Sequence, residues 1–406
     1  MVYRKLALLW LVSTAAMILA LLSFGAAIDP LGMLRPEKTL GTRLEKLERL
    51  YKPWAVYWTR PRSLALGNSR FYYSLDMNHP GWRHPQRYNL SLTGATIDEL
   101  AGLLRHAVNA GPVDQVVVAV DGVCDAGVAP QLASYRLLDS AGSSREHALW
   151  LARDFLSPEV LGHAMEDLML PPRNAFDNGR ALVFDEYQYR SRGQTFVTEQ
   201  REMRTVRDLQ GEPRACTLNS LEQLLDLAYT RRLDLKLVIN PYHVRLMRIE
   251  ERMGGLPHTA QMVLEANQSV ARRHDSAPFP LWYFATLNSV TTDPLADAGA
   301  GRSDESPYWY EPSHYRKNVG DWILDRVLET SPVQDGPPAD FGVLLTAQNI
   351  DTVLRQRARD YADWVRQHPA VVAQVDRSVD LMLRRGDTKV AVPQPVRVAI
   401  SDKPKE

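Results

Sequence analysis

The stretch Arg62–Tyr73 reads RSLALGNSRFYY: a short apolar run, Leu64-Ala65-Leu66, stops at Gly67 and gives way to Asn68, Ser69 and Arg70. An apolar run of this length that ends in Gly and small polar residues predicts a buried strand leaving a sheet. Gly67 permits a sharp turn or a close backbone approach. Ser69 would then stand at the carboxyl end of a strand, where open α/β sheets place their ligands. A serine there is a nucleophile when a base lies beside it. Asn68 and Ser69 equally suit the cap of a helix.

Working outward, strand-like and helix-like segments alternate. Ser63–Leu66 is the first expected strand and Tyr88–Leu92 the second, ending at Thr93-Gly94-Ala95. Thr96 with Glu99 three residues on has the form of a capping box, opening a helix to about Asn109. Gln115–Val120, QVVVAV, is apolar on both faces, as a central parallel strand should be. A capped helix is expected from Thr217, a strand at Asp234–Ile239, an amphipathic helix at Thr259–His274 and a strand at Phe279–Ala285. Glu311-Pro312-Ser313-His314 reads as the opening of a helix that runs through Leu328, with Pro at the first helical position. Ile350–Gln367 is a further helix. The alternation predicts an α/β domain with a mainly parallel sheet. Ser69, Gly94, Asp121, Asn240 and Asn288 each follow an expected strand and would share one edge of it.

The flanks are of a different kind. Leu6–Ile28 holds no charged residue and is long enough to span a bilayer, which takes about twenty residues. Arg4 and Lys5 precede it, so the N-terminus should stay in the cytoplasm and the body lie across the membrane. Gly25-Ala26-Ala27 would suit a signal-peptide cleavage site; the length of the apolar run favours an uncleaved anchor at 1–28. Residues 29–61 read as a linker with one short helix over Leu40–Tyr51, lifting the domain off the membrane. The domain itself takes 62–388, with about 122–215 as an insertion or lid, and the Pro- and Lys-rich 389–406 as a disordered tail.

The sequence of 406 residues has 48 Lys+Arg against 48 Asp+Glu, so no global field favours nucleic acid, and no nucleic-acid-binding motif occurs. Two cysteines, Cys124 and Cys216, fit no zinc pattern. They could pair in an oxidising compartment or remain buried thiols. His79 and His84 flank Gly81-Trp82 without the carboxylate or Cys pattern of a metal site, and neither a metal nor a cofactor is expected. Three aromatic clusters, Phe71-Tyr72-Tyr73, Trp282-Tyr283-Phe284 and Tyr308-Trp309-Tyr310, read as core or as faces for sugar rings.

His314 supplies a base for Ser69. Glu311, three residues before it on the expected first helical turn, would be held ionised by the helix dipole and would orient the imidazole. The Gly94 N–H and the Asn240 amide would offer two donors to an oxyanion.

The order of these blocks resembles the SGNH (GDSL-type) hydrolases. The serine block is Leu66-Gly67-Asn68-Ser69, the glycine block Asn89 to Gly94, the asparagine block Ile239-Asn240-Pro241 and the last block Glu311-Pro312-Ser313-His314. The resemblance covers roughly Arg62 to Glu329. It is nearest to membrane-anchored, SGNH-like proteins of bacterial envelopes, including those that move acyl groups onto exopolysaccharides. It implies a three-layer domain and Ser69, His314 and Glu311 as catalytic residues, with Gly94 and Asn240 at the oxyanion. It also implies polysaccharide and envelope-assembly proteins as partners, and a place on the periplasmic side of the inner membrane. Three departures stand out. Asn68 replaces the family's Asp before the serine, and Glu311 replaces the final Asp. Asn240-Pro241 replaces Gly-x-Asn-Asp, with His243 an alternative for that block.

Overall fold

A computed structural model describes residues 2–35, 47–125, 144–169, 176–182, 184, 186–209, 217–254, 259–296, 305–331 and 335–385. The first strand of its main sheet, β1, is Ser63–Leu66, fully buried as its apolar sequence requires. It lies between β2 (Arg87–Asn89) and β3 (Gln115–Ala119), and both pairings are parallel. Beyond β3 come β6 (Asp234–Ile239) and β7 (Leu281–Tyr283), again parallel, and then β10 (Val343–Leu345), antiparallel at the edge. The strand order is thus β10-β7-β6-β3-β1-β2. The direction of winding reverses between β1 and β3, and the carboxyl edge at such a reversal is where ligands gather in open α/β sheets.

Period-two alternation splits the strands between two cores. Leu64, Leu66, Val116, Val118, Leu235 and Leu237 face one. That core is closed by α4 (Ile97–Ala110), α8 (Asn219–Thr230) and α10 (Thr259–Arg273). Ala65, Val117, Ala119 and Val238 face the other, beneath α3 (Ser69–Ser74) and α11 (Lys317–Val327). The small residues on that second side let α3 lie close: a Cβ on Gly67 would sit 2.9 Å from the Phe71 ring and 3.0 Å from Ala119 Cβ. Close approach, rather than left-handed backbone, is what Gly67 supplies.

The Thr96–Glu99 capping box forms as expected. The helix expected from Thr217 begins at Asn219, and its N-terminus is capped from a distance. Asp125 accepts from the Asn219 and Ser220 N–H groups at 3.1 and 2.9 Å. Two expectations need correction. First, Glu311 and His314 do not open a helix. They face each other in a two-stranded hairpin, β8 (Trp309–Glu311) with β9 (His314–Tyr315), and the helix starts only at Lys317. Pro312 sits in the tight turn rather than at a first helical position. Second, the linker helix lies further along, as α2 (Glu48–Thr59). It is no spacer, for Tyr51, Lys52 and Trp54 are buried in the body. Residues 36–46 of the expected linker lie outside the described residues, as do 126–143, 170–175 and 210–215 of the expected insertion, Cys216 and the tail at 389–406.

The expected insertion or lid has regular structure among its described residues. It holds a small hairpin, β4 (Phe176–Asp177) with β5 (Arg180–Ala181), and then α7 (Glu186–Leu209), bent at Gly193 where φ is 73°. The hairpin borders the β2 edge, with the Asn89 N–H donating to Asn178 O at 2.7 Å. Lys52 fastens that junction. Its ammonium donates to the carbonyls of Asn89, Ser91 and Gly179 at 2.8, 2.6 and 2.8 Å, which uses all three protons. Burial lowers its pKa well below the ordinary lysine value, with Glu48 opposing.

The N-terminal helix α1 (Val2–Ile28) has a mean hydropathy of 2.3 over its most apolar window, none of it buried, and is long enough to cross a membrane. Its C-terminal end packs on α5 (Ser144–Phe155) and α6 (Pro158–Met169). The further helices are α9 (Val244–Arg252), α12 (Ile350–Gln367) and α13 (Pro369–Arg385).

Candidate active site

Ser69 is the first residue of α3, directly after the Gly67-Asn68 exit from β1. Asn68 caps that helix by accepting the Arg70 N–H at 3.0 Å. Asn68 is thus the cap, and Ser69 is left half-buried at the sheet edge. Its Oγ lies 2.7 Å from His314 Nε2, a contact between residues 245 apart in sequence. On the other side of the ring, Nδ1 meets Glu311 Oε1. An ionised carboxylate only accepts, so Nδ1 carries the proton, and Nε2 is left to accept from the serine.

The hairpin explains how residues three apart can do this. Glu311 and His314 are register partners across the turn, and facing cross-strand side chains sit about 5 Å apart at Cβ. Glu311 Oε2 also accepts the Ser313 N–H at 2.6 Å. No helix dipole is involved. The counter-charge is Arg201 on α7, whose Nε donates to Glu311 Oε1 at 2.9 Å. Burial raises the Glu311 pKa, but Arg201, His314 and the Ser313 N–H outweigh it and hold the carboxyl at about 2. Burial lowers His314 to about 4; Glu311 opposes this, while Arg201 and Arg70 add to it. At neutral pH the imidazole is uncharged, the form a general base requires.

His314 is enclosed by rings. Tyr73 meets it edge-on at 5.6 Å and Phe184 lies 5.0 Å away, itself stacked on Tyr310 at 4.7 Å. Phe184 and Arg201 both come from the segment between β3 and β6. Through these two residues that segment touches the imidazole and pairs with Glu311. Most of the three aromatic clusters is core: Phe71, Tyr72, Phe284 and Trp309 are fully buried.

The expected oxyanion donors fare differently. Gly94 is exposed, with φ of 60°. It lies just past Leu92, whose N–H donates to Gly67 O at 3.0 Å, so its loop runs beside the Asn68–Ser69 turn. Glu48 on α2 holds that loop through the Thr93 N–H at 3.0 Å. Asn240 is not available as a second donor. It is fully buried, its amide donates to Asp121 Oδ2 at 2.7 Å and its carbonyl accepts from Tyr315 Oη at 2.7 Å. His243 does not replace it, because it is buried as the cap of α9 and bonded to Asp293 O at 2.7 Å. A different donor is present. Asn68 takes the Arg70 N–H, and among the described residues no acceptor takes the Ser69 N–H, one of those a helix start leaves over.

Two further residues organise the site. Asp121, after β3, accepts from Asn68 Nδ2 and Arg70 Nη1 at 3.0 Å each and from the Asn240 N–H at 2.7 Å. Arg70 also donates to Ser313 O at 3.0 Å, tying the serine helix to the histidine turn. A cavity of about 410 Å³ adjoins this pair, lined also by Tyr242, Glu250, Tyr283 and Arg357. Sequence offered a signal for Asp121, as a polar residue after a strand, but none for Arg201 or Phe184, which lie in a segment of weak periodicity. Among the described residues no group of His, Cys, Asp and Glu could hold a metal ion. His79 is a buried partner of Asp325 at 3.1 Å, and His84 pairs with Asp114 at 3.2 Å. Comparison of the chain with protein-family models, with curated proteins and with solved structures finds no match.

Proposed function

We propose that the chain is a serine-dependent acyl ester hydrolase or O-acyltransferase of SGNH-like type, held at a membrane by α1. The observation that carries this reading is the continuous line Ser69 Oγ, His314 Nε2, His314 Nδ1, Glu311 Oε1, assembled from two distant parts of the chain. Ser69 attacks the acyl carbonyl as His314 takes its proton. Glu311 stabilises the imidazolium, and the N–H groups of Ser69 and Gly94 face the developing oxyanion. Attack by water on the acyl-enzyme then gives an esterase; attack by a sugar hydroxyl gives a transferase. An envelope polysaccharide is the substrate class that the SGNH resemblance suggests, and assembly proteins of the envelope are its partners.

Arg4 and Lys5 before the apolar helix favour a body on the periplasmic side of an inner membrane. Cys124 is disulfide-bonded, which suits an oxidising compartment. The test is labelling of the intact protein with a fluorophosphonate. Wild type should label and Ser69→Ala should not. A folded wild type that never labels would count against the reading. The engagement of Asn240 favours a second one, a catalytically silent glycan-binding or scaffold domain that keeps the triad geometry without a full oxyanion site.

A further inference from the structure

Helix α6 carries three kinds of face. Val160 and Ala164 are buried against the body, and Glu159, His163, Glu166 and Asp167 make a polar side. Between them, Leu161, Met165, Leu168 and Met169 recur at i, i+4, i+7 and i+8, the spacing of a single apolar stripe. Leu161 is half-buried, and the rest of the stripe is not covered: Met165, Leu168 and Met169 are 53, 57 and 76% exposed. Leu149 on the neighbouring α5 is exposed as well. Contiguous exposed apolar side chains beside polar ones mark a contact surface.

The neighbour of this hairpin identifies what it meets. Both α5 and α6 pack on α1. Leu22 and Ala26 of α1 join Phe155 and Val160 in one cluster, and a Cβ on Gly25 would come 3.1 Å from the Phe155 ring. Leu22, Gly25 and Ala26 are half-buried or buried, so the hairpin lies against the C-terminal end of that helix. Twenty residues counted from the charged end at Lys5 reach Gly25, and about twenty span the hydrocarbon. Whatever lies beside Leu22 to Ala26 is therefore at the outer edge of the hydrocarbon.

We propose that α5 and α6 form an interfacial hairpin whose stripe of Leu161, Met165, Leu168 and Met169 inserts into the lipid of the bilayer that α1 crosses. This rests on α1 being a membrane span. It makes the attachment two-point: the body is docked at a fixed height and tilt and does not swing on a tether. Trp54 and Tyr51 on α2 share the apolar cluster beneath α5 and α6, and Glu48 of the same helix holds the Gly94 loop. The lipid contact and the serine site are thus joined through one rigid helix.

The experiment places an environment-sensitive fluorophore on single cysteines in the full chain, in phosphatidylcholine vesicles with and without doxyl-labelled lipid. Cys124 is disulfide-bonded and does not react under non-reducing conditions. Met165→Cys and Leu168→Cys replace exposed side chains and leave the fold intact. Both labels should be quenched severalfold by the doxyl lipid, as should Val12→Cys on α1, whereas Arg272→Cys on α10 should be unaffected. Quenching at Val12→Cys without quenching on α6 would overturn the proposal while leaving the span standing. Absence of quenching at all positions would remove the span and the proposal with it. Labels on α6 that are shielded from aqueous iodide yet untouched by doxyl lipid would assign the stripe to a second protein, and would also overturn it.

Discussion

Arg201 Nε donates to Glu311 Oε1 at 2.9 Å, so the acid of the Ser69–His314–Glu311 line is neutralised by a residue of the segment that covers it. The pairing has two electrical effects. It holds Glu311 at about 2 against the cost of burial, and it helps keep His314 at about 4. The proposed chemistry needs both states together: a carboxylate to orient the ring and a ring without its second proton.

A pH profile reads this directly. Below its pKa His314 holds a proton on Nε2 and cannot accept from Ser69, so kcat/KM should rise with pH through about 4 and be flat at neutrality. Arg201→Gln removes a positive charge next to the imidazole, which lets its pKa rise, and the acid limb should move up by roughly one pH unit. Arg201→Lys, which keeps the charge, should leave the limb near its original place. A limb that does not move in Arg201→Gln would show that Arg201 has no part in setting the base.

Loss of the reacting groups has a different signature. Ser69→Ala and His314→Ala should each lower kcat by about 10⁵- to 10⁶-fold on an aryl ester, and the double variant should be hardly worse, because members of a catalytic unit are not additive. Glu311→Gln should cost about 10²- to 10⁴-fold, since nucleophile and base remain but the orienting charge is gone. Full activity in Ser69→Ala would eliminate the proposed mechanism.

Glu250 allows a prediction about stability. Burial raises its carboxyl to about 7, with Arg357 and Arg70 opposing, and its Oε2 is buried without a hydrogen bond. The folded pKa lies above the unfolded value of 4.5, so the folded state binds the proton more tightly. This contribution is complete below pH 4.5 and is lost as pH rises through 7. The loss is on the order of 3 kcal/mol. Glu250→Gln cannot ionise. Its denaturation midpoint, measured between pH 4.5 and 8, should fall less with rising pH than that of wild type, and equal slopes would refute the assignment.

The strands were legible because burial on both faces leaves near-continuous apolar runs. Ser63–Leu66 and Asp234–Ile239 fall where the sequence puts them. Ser69 and His314 were legible because a small polar residue after a buried strand, and a carboxylate near a histidine, are local patterns. What escaped was non-local. Whether Glu311 and His314 meet across a helical turn or a hairpin turn cannot be told from their spacing of three, because both bring the side chains together. The helix is ruled out by Trp309 and Tyr315, which pair across the hairpin and bury their rings. Asn240 looked like a free amide after a strand. Its engagement depends on Asp121 and Tyr315, from two other segments. Arg201 lies on a helix whose polar sequence has no apolar stripe clear enough to orient it.

The distance between Ser69 and His314, the proposed nucleophile and base, should depend on a glycine in the following helix. Ser69 rides on α3 and His314 lies three residues before α11, so the packing of these two helices bears on how near the residues come. Their contact is unusually close at Gly320, where an added Cβ would lie 2.2 Å from Ser74 O and 2.8 Å from Ser74 C. Those are backbone atoms, and no rotamer change can relieve the overlap. Ser74 Oγ donates to Tyr315 O at 2.5 Å across the same junction, so a displaced α11 would carry the β9 strand and His314 with it. Gly320→Ala should therefore separate α3 from α11 and lengthen the 2.7 Å contact of Ser69 Oγ with His314 Nε2. A misplacement of about 1 Å can cost about 10²-fold in rate, and overpacking of this kind costs about 1–3 kcal/mol of stability. The expected result is a folded protein with a modestly lowered melting temperature. Its kcat should fall steeply, and its fluorophosphonate labelling should slow in proportion. Labelling at the wild-type rate in a folded Gly320→Ala protein would show that the helix contact does not govern the site.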